Sequence, residues 1–170
     1  MSMQHVLSVL VENRSGVLSR VAGLFSRRGY SIDSIAVGPT EDAAVSRMVI
    51  MVEADEEGLE QITKQLHKLI DVLKISDITK EPRVERELAL IKVQADGQNR
   101  GDILQIVDIF RAKIVDVAEK SLVIEITGDT EKVDALIQLL HSFGIKELVR
   151  TGRIAMVRGM RSSGEDRSKS

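Results

Sequence analysis

A short polar segment between two apolar stretches carries residue types suited to binding a small charged molecule. It spans residues 13–18, N-R-S-G-V-L, after a strand-like run and before apolar residues at helical spacing. Glycine at a helix start costs roughly 1 kcal/mol relative to alanine, but it permits close backbone approach. Free N–H groups at a helix N-terminus favour a carboxylate, and the amide of Asn13 adds a donor and an acceptor. These groups complement a free amino acid, although the residues alone favour a tight connection with nothing bound.

The sequence gives little support for metal binding, nucleotide binding or covalent catalysis. The three histidines, His5, His67 and His141, are far apart and there is no cysteine, so the residues favour satisfied or helix-end histidines over metal ligands. The turn at residues 97–101, G-Q-N-R-G, precedes a helix and could hold an anion, but an ordinary connection is the better interpretation. Phosphate-binding glycine loops and nucleophile motifs are absent from the sequence. We therefore expect no catalytic residue and no metal site in this chain.

Charged clusters have simple structural interpretations. The acidic run at residues 55–57 suits the start of a helix. We interpret two basic clusters as solvent-exposed surface, and the alternative is that they form a docking patch for a partner. The clusters are Arg27-Arg28 and the set Arg150, Arg153, Arg158 and Arg161.

Composition narrows the class of protein. The 170 residues carry a net charge of −2 and only 2% aromatics, which argues against nucleic-acid binding. No apolar run approaches the roughly 20 residues that a membrane helix needs, and no signal peptide is evident. We therefore expect a cytoplasmic protein. Two cores of this size would be only marginally stable, so we also expect dimerisation to stabilise them.

The elements that would position the segment 13–18 follow from periodicity. Residues 5–11 form a nearly continuous apolar run that predicts a buried strand. Ser15 is the predicted N-cap of the following helix and Gly29 its C-cap. Two further strands, a helix with an apolar stripe that reaches Leu69 and Ile70, and a strand at residues 71–78 complete a βαββαβ order.

The same order repeats after a charged stretch. We predict a first domain at residues 3–79, a linker at 80–87, a second domain at 88–159 and a disordered tail at 160–170. Asp129 or Thr130 is the predicted cap of the last helix, and the strand at 154–157 is expected to extend the strand at 145–150. The fold class is α+β, with two ferredoxin-like βαββαβ domains whose antiparallel sheets carry the helices on one face.

Long runs of the sequence resemble a known family. N-R-S-G-V-L-S-R-V-A-G-L-F is similar to the opening signature of ACT domains, which bind small effectors such as amino acids. The runs at residues 7–35, 46–48, 65–74, 84–93 and 109–117 resemble the small regulatory subunits of acetolactate synthase, also called acetohydroxyacid synthase. The resemblance covers residues 3–159 and implies that the first domain is an ACT domain.

The resemblance implies a partner and a regulatory role. In this family the large catalytic subunit carries thiamine diphosphate, FAD and magnesium, whereas the small subunit has no cofactor and no activity of its own. The small subunit activates the large one and confers feedback inhibition by a branched-chain amino acid, usually valine. It therefore acts in valine, leucine and isoleucine biosynthesis, as a homodimer through its ACT domain.

The family also implies where the effector binds, which is between the ACT domains of two chains. One chain contributes the turn and the partner contributes the start of the second strand, where many relatives have asparagine in place of Ser31. Val17 and Ile35 are apolar positions that could receive a branched side chain. The expected effector-binding residues are Asn13, Ser15, Gly16, Val17 and Leu18 from one chain, with Ser31, Ile32 and Ile35. The second domain lacks such a turn, and we expect it to be the part that transmits effector binding to the large subunit.

Three alternatives stay open at this stage. The chain could be a free-standing amino-acid sensor with another client, a small ferredoxin-like enzyme or, less well supported, an RNA-binding module. Turnover by the isolated chain would favour the enzyme, although no catalytic constellation is present in the sequence.

Overall fold

The structure is a computed structural model that describes residues 1–159, and its chain divides into two units. Unit 1 contains Met1–Val84 together with residues 153–159, and unit 2 is Glu85–Gly152. The predicted tail at 160–170 lies outside the described residues.

Unit 1 has the predicted βαββαβ order. Its antiparallel sheet has the strand order β2-β3-β1-β4. The bounds of its elements are β1 Met3–Glu12, α1 Val17–Arg27, β2 Ser31–Pro39, β3 Val45–Ala54, α2 Glu56–His67 and β4 Val72–Asp77.

The central strand β1 is buried on both faces, which explains its continuous apolar run. Leu7, Val9 and Val11 pack into the core that α1 and α2 cover. Val6 faces the opposite side of the sheet and joins a second, smaller cluster with Val49, Met51, Ile78 and Ala155. The strand that carries the candidate turn is therefore held from both sides.

Unit 2 repeats the arrangement, with the strand order β6-β7-β5-β8 and one core against its helices. The bounds of its elements are β5 Arg83–Gln94, α3 Arg100–Ile109, β6 Lys113–Val117, β7 Ser121–Gly128, α4 Thr130–His141 and β8 Ile145–Arg150. The α+β class with two βαββαβ units is confirmed.

The structure differs from the predicted domain limits in two places. The stretch predicted as a linker at 80–87 already contains the start of β5 at Arg83. Its charge did not indicate solvent exposure, because Glu87 is buried and pairs with Arg150. The final strand, β9 (Ile154–Val157), does not extend β8. It pairs with β5, and its Ala155 packs on the outer face of the unit 1 sheet. Gly152 has a φ of 82°, a left-handed conformation that lets the chain turn between β8 and β9.

Contacts at both ends fasten β9 to unit 1. The side chain of Arg153 donates to Gln4 Oε1 at 2.9 Å, and the backbone N–H of Arg158 donates to Pro82 O at 2.8 Å. The side chain of Arg158 also donates, from Nε to Arg83 O at 3.2 Å. The guanidinium groups of Arg153 and Arg158 are therefore both engaged within the chain.

Helix ends follow the sequence where an aspartate caps them. Asp55 Oδ1 accepts from the N–H of Gly58 at 2.7 Å, and Asp129 Oδ1 accepts from the N–H of Lys132 at 2.9 Å. The α2 stripe ends early because the helix stops at His67, which leaves Ile70 90% exposed. Among residues 1–159 no helix is long and apolar enough to cross a membrane.

The two predicted caps of α1 are each displaced by one residue. Gly16, not Ser15, is the N-cap, and the C-cap is Arg28, with Gly29 following it at a φ of 73°. Both glycines adopt the left-handed conformation that other residues resist, and that conformation decides where the helix starts and ends.

The cap at Asp129 gives a direct stability test. Asp129→Ala should lower the free energy of unfolding by about 1 kcal/mol, because the Lys132 N–H loses its acceptor. Urea denaturation of the full chain measures the change. Asp129→Ser, which retains a side-chain acceptor, should recover most of the loss, and equal losses in the two variants would contradict the capping role.

Candidate functional site

Backbone hydrogen bonds from two other loops fix the chain where β1 ends and the candidate turn begins. The N–H of Glu12 donates to Asp71 O at 2.9 Å, and the N–H of Asn13 donates to Ala44 O at 2.8 Å. The side-chain amide of Asn13 donates to Ala43 O at 3.0 Å. The exposed Asn13 side chain is thereby oriented through its NH2 group, and its carbonyl oxygen remains an acceptor at the turn.

Gly16 sets the geometry at the start of α1. Its φ of 83° favours glycine, and its carbonyl accepts the N–H of Arg20 at 3.1 Å as the first turn of the helix closes. No side chain caps this end, and its first turn contains no acidic residue. The first N–H groups of a helix have no partner within the helix, so those of α1 can receive an external acceptor.

The other helices of the described chain start differently. The aspartates Asp55 and Asp129 cap α2 and α4, as described above. Before α3 the carboxylate of Asp96 accepts the N–H groups of Gln98 and Asn99, at 2.8 and 3.0 Å. The turn at 97–101 therefore carries its own internal acceptor, which supports the interpretation as an ordinary connection. Within residues 1–159, α1 alone begins without a nearby side-chain carboxylate in these roles.

The predicted turn residues differ in what they expose. Asn13, Ser15 and Gly16 are exposed, and Leu18 keeps 46% of its surface. Val17, by contrast, is buried in the core of unit 1. We expected its side chain to receive the effector, but only its backbone N–H lies at the helix start.

The predicted residues of β2 lie elsewhere in the same chain. Ser31 is exposed and pairs with Glu53, whereas Ile32 and Ile35 are half-buried against the core. The turn follows Glu12, which pairs with Val45. Val45 and Glu53 are eight steps apart on β3, so at roughly 3.3 Å per residue the turn and Ser31 are separated by roughly 26 Å. One chain therefore does not bring the two predicted halves together.

Two residues beside the turn were missed by the sequence analysis. Arg20 donates through Nε to Asp71 Oδ2 at 2.8 Å, and its Nη2 lies 2.6 Å from the same oxygen. A Cβ built on Gly16 would lie 3.1 Å from Arg20 Nη1. The spacing of four between Gly16 and Arg20 is a signal that could have found the arginine, because such residues share a helix face. Asp71 is 51 positions away and gives no such signal.

The histidines take structural positions. His67 and His141 are the last residues of α2 and α4, as predicted, where they suit the helix dipole. His5 is buried in β1, with Nε2 3.0 Å from Ala54 O. Residues 1–159 contain no group of three or more side chains arranged to hold a metal ion.

Both units match family models along most of their length. Residues 7–74 match the model described as the AHAS small subunit-like ACT domain, and residues 86–159 match the model described as the small subunit of acetolactate synthase. The first range lies within unit 1. The second begins in β5 and covers unit 2 from residue 86 together with β9 of unit 1.

Individual relatives agree along nearly the whole chain. A probable acetolactate synthase small subunit from Archaeoglobus fulgidus is 57% identical over 92% of this chain and 98% of its own. The acetolactate synthase small subunit of Mycolicibacterium smegmatis is 53% identical over 94% of each. The crystal structure of the Thermotoga maritima acetolactate synthase small subunit superposes with a TM-score of 0.85 and 48% identity, covering 92% of this chain and 98% of its own. The chain belongs to the family of acetolactate synthase small subunits.

Proposed function

We propose that this chain is a regulatory subunit that activates a catalytic acetolactate synthase subunit and confers feedback inhibition by a branched-chain amino acid, with valine as the first candidate. The observation that carries the effector site is the start of α1, where Gly16 leaves backbone N–H groups without a side-chain cap or an acidic residue in the first turn. The names of its relatives support the identity of the partner. The cytoplasmic location stays a prediction.

The groups around the turn match the two charges of an amino acid. The N–H groups at the start of α1 would bind the effector's carboxylate, and the carbonyl oxygen of Asn13 would accept from its ammonium. The exposed side chain of Leu18 offers apolar contact nearby. A site of this kind recognises the zwitterion first and the side chain second.

The separation of the turn from Ser31 supports a site shared between two chains. Residues roughly 26 Å apart along β3 cannot contact one small molecule within a chain. A homodimer through the ACT units would bring the turn of one chain to the β2 start of its partner. Dimerisation is thus part of the proposed effector site.

Selectivity among branched-chain amino acids should be modest. One buried methylene separates ligands by about 1–3 kcal/mol. Ser31 is shorter than the asparagine of many relatives and carries no amide, so it offers fewer hydrogen bonds to an effector. We expect valine, leucine and isoleucine to compete for one site, with valine the tightest.

Regulation then requires that the effector bind two states of the assembly unequally. Thermodynamic linkage makes this reciprocal: the catalytic subunit must change the affinity for valine by the same factor by which valine changes the affinity for the catalytic subunit. Thiamine diphosphate, FAD and magnesium would belong to that partner, where the condensation of two 2-oxo acids takes place.

Reconstitution tests the whole proposal. We expect calorimetry to show saturable binding of valine to the full chain, and addition of the chain to its cognate catalytic subunit to raise acetolactate formation. Valine should then lower the rate of the reconstituted complex and leave that of the catalytic subunit alone unchanged. Valine binding without any effect on the catalytic subunit would favour a sensor with another client, and turnover by the isolated chain would favour an enzyme.

A further inference from the structure

The guanidinium of Arg20 lies against the backbone of the effector turn. Its Nη1 would be 3.1 Å and its Cζ 3.8 Å from a Cβ built on Gly16. Arg20 follows Gly16 by one helical turn, and its own N–H closes that turn on Gly16 O. The absence of a side chain at residue 16 is what admits the guanidinium so close to the main chain.

The carboxylate of Asp71 fixes the position of this guanidinium. Nε and Nη2 both contact Asp71 Oδ2, at 2.8 and 2.6 Å. The Asp71 side chain is only 6% exposed, whereas that of Arg20 is 48% exposed. The anchored side of the guanidinium therefore points inward, and Nη1 is left next to Gly16 without a hydrogen bond to any of the described residues.

This arrangement concentrates positive charge. The N-terminus of a helix carries a partial positive charge, and an arginine near it is on the unfavourable side of the helix dipole. Here the first turn of α1 contains no acidic residue to offset that charge. Asp71 offsets one face of the guanidinium only. An anion next to Gly16 would satisfy both the N–H groups and Nη1.

We propose that Arg20 is a specificity-determining residue of the effector site, which rests on the function proposed above. Its Nη1 joins the N–H groups of α1 in binding the effector's carboxylate, and Asp71 is the positioning residue that fixes the guanidinium. The turn thereby selects ligands with a free carboxylate over ligands in which that group is neutral. The contribution of Asp71 is indirect and acts through Arg20.

The competing explanation is that Arg20 only ties the turn to Asp71. A purely structural role would weaken all ligands equally, whereas carboxylate recognition would weaken only ligands that carry one. Valine and valinamide separate the two roles, because valinamide retains the ammonium and the side chain but has a neutral amide. The readout is the ratio of their dissociation constants, measured by calorimetry on the full chain.

A variant that removes the Arg20 guanidinium must not leave the buried Asp71 carboxylate unpaired. Arg20→Gln alone would strand the Asp71 carboxylate, so the main variant is Arg20→Gln combined with Asp71→Asn. We expect it to bind valine about tenfold to a hundredfold more weakly, which is the effect of losing one charge-assisted hydrogen bond. Valinamide affinity should stay within about twofold of the unmodified chain, so the preference for valine should largely disappear. Melting followed by circular dichroism verifies the fold.

The matched control lies on the same helix. Arg27 also follows a glycine by four residues, and its Nη1 would be 3.4 Å from a Cβ built on Gly23, but it is in the last turn of α1. Arg27→Gln removes the same charge and should leave both dissociation constants unchanged. Equal weakening of valine and valinamide in the double variant, or an unchanged ratio, would overturn the assignment of Arg20. An unmodified chain that binds no branched-chain amino acid would instead overturn the proposed function itself.

Discussion

Gly16→Asp is expected to weaken valine binding by roughly a hundredfold or more, the result of replacing an attractive site by an internal anion. The new Cβ would meet Arg20 Nη1 at 3.1 Å, and the carboxylate would approach Arg20 and the N–H groups of α1. Those are the groups that we assign to the effector. Calorimetry measures the loss, and the reconstituted complex should retain activation while losing inhibition by valine.

Two other variants separate charge from backbone strain. Gly16→Ala imposes the same strained φ of 83° without a carboxylate and should weaken valine binding less. Gly159→Asp places an aspartate at another left-handed glycine, outside both halves of the proposed site, where a Cβ meets nothing within 4 Å, and should leave valine binding intact. Unchanged valine affinity in Gly16→Asp would show that the turn is not the effector site.

The same variant tests whether two chains share each site. Gly16→Asp damages the turn half, and Ser31→Trp is designed to block the β2 half. In a mixed dimer of the two variants, one shared site would carry both changes and the other neither. Refolding the two variants together at equal amounts should therefore restore about a quarter of the sites, whereas sites built within single chains would stay inactive.

Arg150→Met is expected to lower the free energy of unfolding by about 3–5 kcal/mol, because it leaves a buried charge unpaired. Arg150 forms an ion pair with Glu87, whose side chain is only 4% exposed, and a second one with Asp134 of α4 at 2.8 Å. The hydrogen bond to Glu87 is the main cause that raises the pKa of Arg150 above its ordinary value. The pair joins β8 to β5 and α4 within unit 2.

A surface pair on the same sheet provides the control. The side chains of Lys92 and Glu147 are 3.5 Å apart and 43% and 63% exposed, so Lys92→Met should cost less than about 1 kcal/mol. Replacing Glu87 and Arg150 together by uncharged residues should recover most of the loss, because no buried charge then remains. Chemical denaturation of the full chain measures all three. Equal losses for Arg150→Met and Lys92→Met would contradict the role assigned to the buried pair.

The sequence predicts what is local in this structure. The apolar run of β1 and the helical spacing of α1 indicate their elements because each pattern reports the burial of its own residues. The aspartate caps of α2 and α4 are visible because each accepts an N–H only three residues further along the chain. The sequence predicts the N-cap of α1 one residue too early, at Ser15, because the left-handed conformation of Gly16 sets the helix start and leaves no sign in the apolar pattern.

Long-range pairings account for the rest. Glu87 appears as part of a charged linker until Arg150, 63 positions away, pairs with it in a strand. Asp71 is a second case of a distant partner: it lies just before β4, and its partner Arg20 is 51 positions away in the candidate site. A strand that contains many charged residues is hard to recognise when the partners of those residues lie in distant segments. The composition of the strand alone then predicts an exposed loop.

The return of β9 to unit 1 has a consequence for how the chain is completed during synthesis. Domains generally form as units while the chain emerges from its N-terminus. Val6, Val49 and Met51 precede all of unit 2 in the chain, but Ala155, which joins them on the outer face of their sheet, follows it. Unit 2 has all of its residues before unit 1 does. The part of the protein that is translated first is therefore finished last.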